Sequence, residues 1–223
     1  MDAAGQEATL ERRKQIARRL LELYTITAGL ALASGLEKAF ASDGPKPLLE
    51  GCRLLLLGAF LLTLVPFFHG ALAWLDTEWL ASLNTLTNGR MVIDFISLFL
   101  QLCFLFVLGK CLASPTWFGW VYCCLLFLDV IWATLAIWRR WESHIAPGGA
   151  VKRTLGRELT AIREGAAGWL WVNLGALVIA IPTTLFISHR ASQLIAAASI
   201  AVVAVARTAV DYSISWKFYF PTP

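Results

Sequence analysis

Seven polar residues lie inside long apolar stretches of this sequence, where burying an ionisable side chain is costly and usually marks a functional position. They are His69, Asp94, Gln101, Asp129, Asn173, Arg207 and Asp211. Arg207 and Asp211 are four residues apart and therefore share one face of a helix. Asp94 and Gln101, seven residues apart, share another. The spacing predicts that these side chains point into the interior of a helix bundle.

Two kinds of chemistry fit this set of residues. The side chains could line a water-filled vestibule that opens to the cytosol, with Arg207 held by Asp211 and by Asp94 or Asp129. With His69 nearby, such a vestibule would relay protons or cations. Alternatively, the same side chains pair across helices and fix their packing, each bond contributing about 1 kcal/mol. The sequence leaves both interpretations open.

The sequence carries no motif of catalysis, metal binding or cofactor binding. HExxH, GxSxG, the P-loop and GxGxxG are absent, and the five cysteines form no CxxC pair. With His69, His144 and His189 as the only histidines, a multi-histidine metal site is not expected. A net charge of +4 is small for a nucleic-acid-binding protein. We therefore expect no catalytic residues, no metal, no cofactor and no nucleic-acid partner.

The elements that position the polar residues are long apolar helices. Hydrophobic residues make up 58% of the 223 residues and charged residues 15%, which excludes an ordinary soluble enzyme. About 20 apolar residues are needed to cross a bilayer as a helix. Six stretches of about this length are present, of which the first is the weakest: Leu20–Phe40, Leu54–Leu75, Met91–Ala113, Trp117–Trp138, Gly168–Ser188 and Ser192–Ser215. The predicted fold is all-α, a polytopic membrane bundle of about six spans.

Basic residues predict the orientation of the bundle. With six spans and a cytosolic N-terminus, the inside segments carry thirteen lysines and arginines and the outside loops five. We expect a bacterial cytoplasmic membrane with both termini inside. The predicted organisation is a basic segment (1–19), spans one to four (20–138), a basic loop (139–167), spans five and six (168–216) and an aromatic tail (217–223). Alternatively, Ala31-Leu32-Ala33 is a signal-peptidase site, and cleavage there leaves five spans.

The basic loop contains a predicted amphipathic helix over residues 150–164. Its apolar side chains fall within one arc at 100° per residue, and basic side chains occupy the rest. The basic residues are Lys152, Arg153, Arg157 and Arg163. This pattern predicts a helix that lies on anionic lipid headgroups, or one packed against a partner or the chain's own loops. Trp74 and Trp169 are predicted to be interfacial anchors, and the tail Phe218-Tyr219-Phe220-Pro221 is predicted to be either an interfacial anchor or a contact for a partner protein.

Two functional classes follow from these predictions. In the first, the protein moves a proton, an ion or a small solute through the bundle or through a homo-oligomer of it. In the second, it is a non-transporting membrane subunit or effector whose cytosolic face recruits or senses a protein partner. An enzyme is not expected, since no nucleophile–base pair or metal set is present.

Overall fold

The structure is a computed structural model that describes residues 3–40, 47–75, 88–145, 152–190 and 192–220. Within these ranges the chain forms six α-helices and one short 3₁₀ turn. The helices are α1 (Ala3–Ala39), α2 (Pro47–Trp74), α3 (Asn88–Lys110), α4 (Pro115–Ile145), α5 (Lys152–Arg190) and α6 (Gln193–Tyr219), and the turn Cys111–Ala113 lies between α3 and α4. The predicted all-α fold is confirmed.

Five helices contain stretches that are long and apolar enough to cross a membrane. These are Glu50–Trp74, Met91–Ala113, Pro115–Trp138, Ala167–Ile187 and Gln193–Trp216. They agree closely with five of the stretches predicted from the sequence. The predicted first span, except for Phe40, lies within α1. This helix is not among the five because Glu22, Glu37 and Lys38 lower the hydropathy of its apolar part.

The six helices pack as a closed ring. Neighbours follow in the order α1, α2, α6, α5, α4, α3 and back to α1. Large apolar side chains such as Val92, Val178 and Val202 are more than half exposed on the outer surface. A helix that is apolar on both its inner and its outer face is typical of a membrane span. The ring therefore has an apolar surface as well as an apolar interior.

Contacts between helices fix their directions. Tyr24 and Gly35 of α1 lie against Phe67 and Phe60 of α2 respectively, so these two helices are antiparallel. Asp129 contacts Asn173 between α4 and α5, which are likewise antiparallel. We call the two ends of the bundle the Trp74 end, where α2 ends and α3 begins, and the Lys110 end, where α3 ends and α4 begins.

A close approach joins α1 to α3, which run in the same direction. A Cβ atom at Gly109 would lie 2.9 Å from the carbonyl oxygen of Ala31, so only glycine permits this backbone separation. Toward the Lys110 end, Lys110 Nζ lies 3.9 Å from Glu37 Oε2. Toward the Trp74 end, Leu20 and Met91 belong to one buried cluster. The part of α1 from Leu20 to Glu37 therefore lies alongside the apolar stretch of α3.

A proline inside α2 is compensated from a neighbouring helix. Pro66 has no N–H, so the carbonyl oxygen of Leu62, four residues earlier, loses its helical partner. Thr208 of α6 donates its hydroxyl proton to this oxygen, with 2.6 Å between Oγ1 and O. Freed backbone groups in apolar surroundings need such a partner. The proline thus ties α2 to α6 beside the polar residues described next.

Candidate functional site

One polar residue from each of four consecutive helices meets at the same level of the bundle. Gln101 of α3, Asp129 of α4, Asn173 of α5 and Arg207 of α6 are all at least 94% buried. Asp129 lies nine residues before Trp138, the last residue of its candidate span, which is about 14 Å along the helix. We call these four residues, together with Asp211, the polar network.

Hydrogen bonds connect the polar network without a gap from α3 to α6. Gln101 Nε2 donates to Asp129 Oδ1 at 2.7 Å, and Asn173 Nδ2 donates to Asp129 Oδ2. Asn173 Oδ1 accepts two hydrogen bonds from Arg207, at 3.0 Å from Nε and 2.9 Å from Nη2. The amide of Asn173 therefore lies between the carboxylate and the guanidinium. Its Nδ2 group donates to the negative charge of Asp129, and its Oδ1 atom accepts from the positive charge of Arg207.

The network continues along α6 toward the Trp74 end. Arg207 Nη1 lies 3.5 Å from Asp211 Oδ2. The Tyr219 hydroxyl donates to the same carboxylate oxygen at 3.0 Å and accepts from Trp169 Nε1 at 2.9 Å. Non-helical backbone at Ser215 kinks α6 between Asp211 and Tyr219, eight residues apart. This kink accompanies the return of the phenol to the bundle interior.

Tyr219 lies beyond the apolar stretch of α6, yet its hydroxyl is a reliable donor. Burial raises the pKa of this phenol far above its ordinary value of 10, and the nearby Asp211 raises it further. The hydroxyl therefore keeps its proton at any physiological pH and donates to Asp211. The sequence interpretation of Tyr219 as an exposed anchor is wrong, since this side chain is 95% buried.

The two carboxylates of the network have different partners. Asp211 faces the Arg207 guanidinium directly, whereas the hydrogen bonds to Asp129 come from the neutral amides of Gln101 and Asn173. Arg207 also stacks on an aromatic face, with its Cζ atom 4.7 Å from the centre of the Phe67 ring. With both aspartates ionised, the network carries two negative charges and one positive charge.

The structure brings five of the seven predicted polar residues together and places the other two at the edge. Asp94 is buried, and Trp74 Nε1 lies 3.4 Å from its Oδ2 atom. His69 lies among aromatic rings, with its ring centre 4.8 Å from that of Tyr219 and its Nδ1 atom 3.5 Å from the Tyr212 hydroxyl. Both residues lie nearer the Trp74 end than Arg207 and Asp129 do.

Aromatic residues at the Trp74 end take part in the site, which sequence reasoning missed. Trp74 and Trp169 were expected to be interfacial anchors, but each is at least 95% buried. Their rings pack on either side of Trp132, at centroid distances of 4.6 Å and 5.8 Å. The missed signal was helical spacing, because Trp169 is four residues before Asn173 and so lies on the same face of α5.

A small cavity lies beside the polar network. Its volume is about 20 Å³, enough for one water molecule. Its walls include the network residues Gln101, Asp129 and Arg207 and the aromatic residues Phe67, Trp132, Trp169 and Tyr219. Toward the Lys110 end the interior is instead filled by apolar side chains that are fully buried, among them Leu56, Phe60, Leu105, Leu108 and Leu112.

The predicted surface helix differs from the structure in its extent. Residues 152–164 are helical, as predicted, but they form the first part of α5, which continues to Arg190 as one helix. The backbone at Lys152, Arg153, Arg157 and Arg163 therefore belongs to an extension of a candidate span. The predicted helix is therefore not a separate element, and its contact with lipid headgroups stays a prediction. The N-terminal segment behaves similarly, since residues 3–19 are the first part of α1.

The donor set and the comparisons with known proteins complete the description of the site. Among the residues that the structure describes, no three His, Cys, Asp or Glu side chains are grouped so that they could hold a metal ion. No protein family, curated protein or solved structure was found to match this chain.

Proposed function

We propose that this chain is an integral membrane protein of six spans, with α1 as the first span. The proposal is supported by the position of α1 beside α3 between Leu20 and Glu37. It is also supported by the outer face of α1, where Ile26 and Leu30 are more than half exposed. A stable fold in water would bury such residues, whereas lipid accommodates them.

Threonine hydroxyls on α1 add to this support. Thr25 and Thr27 donate to the carbonyl oxygens of Leu21 and Leu23, at 2.9 Å and 2.8 Å. In a bilayer a hydroxyl without a partner is costly, and this back-bond within the helix satisfies it. With six spans the two termini lie on the same side. The distribution of basic residues favours the cytosol of a bacterium as that side, and hence the Trp74 end as the cytosolic end.

The polar network is the proposed site of function, and it moves a small cation. The observation that carries this proposal is the charge of the network, with Asp129 and Asp211 against the single guanidinium of Arg207. An uncompensated buried charge is very costly in apolar surroundings. One bound positive charge makes the network neutral. Such a site is loaded and unloaded from water, which is the elementary step of transport.

The position of the network favours loading from the cytosol. The polar side chains and the cavity lie in the half of the bundle that includes the Trp74 end, where His69 and Tyr212 are half-buried. The opposite half is packed with apolar side chains. Release to the other side therefore requires a second conformation in which these helices separate, as in alternating access.

The second candidate function is a non-transporting membrane subunit. The same packed apolar half supports it, because a network that is closed on one side and connected by hydrogen bonds from α3 to α6 also suits a purely structural role. In that case the cytosolic extensions of α1 and α5 would contact anionic lipid headgroups or a cytosolic protein. The flux experiment separates the two candidates.

The experiment is ion flux into liposomes containing the purified full-length protein. We expect a flux under a pH gradient or an ion gradient, and its loss in Asp129→Asn, which keeps the shape of the side chain. Glu37→Gln is the matched control, because Glu37 is an exposed carboxylate at the Lys110 end. If no gradient drives a flux in the wild type, the subunit function is the better one. If Asp129→Asn folds and matches the wild type across pH 5–8, Asp129 is structural.

A further inference from the structure

We propose that the cation is a proton, that Asp129 holds it, and that a single water molecule in the cavity delivers it. This inference rests on the proposed function and names its substrate. The two carboxylates, Asp129 and Asp211, have unequal surroundings. The charge of Asp211 is compensated by Arg207 and by the Tyr219 hydroxyl, both at Oδ2. Its Oδ1 atom has no hydrogen-bond partner among the described residues, but Asp211 does not line the cavity, whereas Asp129 does. Asp129 receives only neutral amide donors, so it is the carboxylate whose charge the bound cation neutralises.

The geometry around Asp129 leaves room for a proton. Each of its oxygens accepts one amide hydrogen bond, from Gln101 or from Asn173. A carboxylate oxygen has two lone pairs, so each retains one for a proton. The cavity borders Asp129 directly and is large enough for one water. The residue is 94% buried, and a water molecule in this cavity would connect it to exchangeable protons.

Two polar atoms in the walls of the cavity lack a hydrogen-bond partner and fit this water. They are Arg207 Nη1 and Trp132 Nε1, both on side chains at least 95% buried. Both are donors, and a water oxygen accepts two hydrogen bonds while its own protons point toward an acceptor such as Asp129. A buried water normally makes about three hydrogen bonds to groups of this kind. The orphaned donors and the cavity thus point to the same occupant.

The same walls do not suit a metal cation. Calcium takes about 6–8 oxygen ligands, and potassium sites replace the whole hydration shell with oxygens. Among the described residues that line the cavity, three have side chains that carry oxygen, namely Gln101, Asp129 and Tyr219. The remaining wall consists of aromatic and aliphatic carbon, of N–H donors and of the positive guanidinium of Arg207. A proton needs one lone pair and no coordination shell.

The transfer step is a simple proton exchange. A proton that reaches the cavity water makes it a hydronium ion. The hydronium O–H bond breaks as an O–H bond forms on a carboxylate oxygen of Asp129, leaving neutral water and a neutral carboxylic acid. The network then contains one guanidinium and one carboxylate and is neutral as a whole. The reverse step regenerates the carboxylate.

The test is infrared difference spectroscopy of the full-length protein in detergent, with proton–deuteron exchange to identify protonated carboxyl groups. We expect a buried carboxylic-acid band that is present in the wild type and in Glu37→Gln and absent in Asp129→Asn. A band that survives in Asp129→Asn and disappears in Asp211→Asn would overturn the assignment. If Asp129→Asn does not fold, Gln101→Leu serves instead, because loss of the hydrogen bond to Oδ1 must shift the band. An unshifted band in Gln101→Leu would also overturn it.

A pair of alanine variants tests the water. Ala71 lines the cavity, and Ala180 lies in the apolar core away from it, both about 95% buried. We expect Ala71→Val to slow the exchange of the carboxyl proton at least tenfold relative to Ala180→Val. Equal rates would overturn the role of the water. The pH titration of the Asp129 band gives the proton concentration at its midpoint. If added sodium or potassium changes this concentration tenfold, these ions compete with the proton, and the choice of a proton is overturned.

The infrared and exchange measurements do not depend on flux. They therefore test the proton site separately from the proposed transport function. A protein with the Asp129 band but no flux retains the proton site and loses the transport function. If the protein carries sodium or potassium and lacks the band, the transport proposal stands and the proposal that the cation is a proton is wrong.

Discussion

At the scale of the residue, Asn173 keeps the carboxylate of Asp129 and the guanidinium of Arg207 apart. Its amide separates Asp129 from Arg207, so the guanidinium pairs directly with Asp211 and only indirectly with Asp129. The sequence predicted a pair between Arg207 and Asp211, with either Asp94 or Asp129 as a second partner. The structure connects Asp129 to Arg207 through an amide that the sequence could not position.

Removing the guanidinium leaves two buried carboxylates uncompensated. We expect Arg207→Ala to lower stability by about 3–5 kcal/mol, because breaking a buried pair strands the remaining charge. Adding Asp211→Asn should restore part of this loss. The loss in the single variant and its restoration in the double variant are both measured by thermal unfolding in detergent, monitored by size-exclusion chromatography. Lys110→Ala is the control, since it breaks an exposed ion pair with Glu37 that is expected to contribute less than about 1 kcal/mol. Equal losses in the two single variants would contradict the buried pair.

The contribution of the Tyr219 hydroxyl to the polar network can be tested by removing this one group. Tyr219→Phe deletes the donor to Asp211 and the acceptor for Trp169. We expect a loss of about 1–3 kcal/mol, because one of the two bonds is to a charged group. Tyr24→Phe is the matched control, as Tyr24 is fully buried but makes only a 3.5 Å contact with a helical carbonyl oxygen. A larger effect in Tyr24→Phe would argue against the network.

At the scale of the element, α1 depends on its neighbours more than on its own hydropathy. It carries more charge than the other candidate spans and is placed by close packing against α3. By contrast, α5 is longer than its apolar stretch and extends beyond it at its N-terminal end. The bounds of both helices therefore differ from those of their apolar segments.

The contact between α1 and α3 can be tested with two glycines. Gly109→Ala would place a Cβ atom 2.9 Å from the backbone of α1, which must then move, and we expect a cost of about 1–3 kcal/mol. Gly29→Ala is the control, since Gly29 has open space around it and alanine favours a helix by about 1 kcal/mol. Opposite signs of the two changes in melting temperature are expected. Two changes of the same sign and size would mean that α1 does not approach α3 as described.

The basic segment at the start of α5 is expected to interact with lipid headgroups. A peptide covering residues 150–164 should bind vesicles of anionic lipid more tightly than neutral ones, since each basic residue near such a surface contributes about 1 kcal/mol. Binding should weaken as salt is added, because salt screens the attraction. Because residues 150–164 contain no tryptophan, vesicle co-sedimentation is a suitable way to measure this binding. Equal binding to both kinds of vesicle would remove the electrostatic part of this prediction.

At the scale of the whole molecule, the ring of six helices separates a polar half from an apolar half. The polar network, the aromatic cluster and the cavity lie toward the Trp74 end, and the apolar core fills the Lys110 end. This asymmetry has a functional meaning only if the Trp74 end faces one defined compartment. Orientation in the membrane is therefore the most informative property to measure.

Single-cysteine labelling tests the orientation. In a cysteine-free background, we expect a membrane-impermeant reagent to label a cysteine at position 44 from outside intact cells and not one at position 148. Labelling at position 148 after permeabilisation is the control for reactivity. Labelling of position 148 in intact cells would contradict six spans with internal termini, and an N-terminus at Ser34 in the purified protein would show that α1 is cleaved.

The sequence by itself determined where the apolar parts of the helices lie. It also predicted six buried polar residues, Asp94, Gln101, Asp129, Asn173, Arg207 and Asp211, whereas His69 is half-buried and the burial of Arg53 was missed. Runs of apolar residues are local and must form helices in a membrane, because every backbone group needs an internal partner there. This is why five candidate spans follow from composition alone. Spacing along one helix is also local, and so the shared face of Arg207 and Asp211 was predictable.

Only the tertiary structure decided which of these residues meet. Contacts between helices depend on the order of the ring and on small differences in rotation and depth, none of which leaves a periodic signal in one chain. The bridge through Asn173, the return of Tyr219 over the kink at Ser215 and the cavity beside Asp129 all arise in this way. The buried tryptophans were misjudged for the same reason, because a tryptophan near a helix end fits a lipid interface and a bundle interior equally well until its neighbours are known.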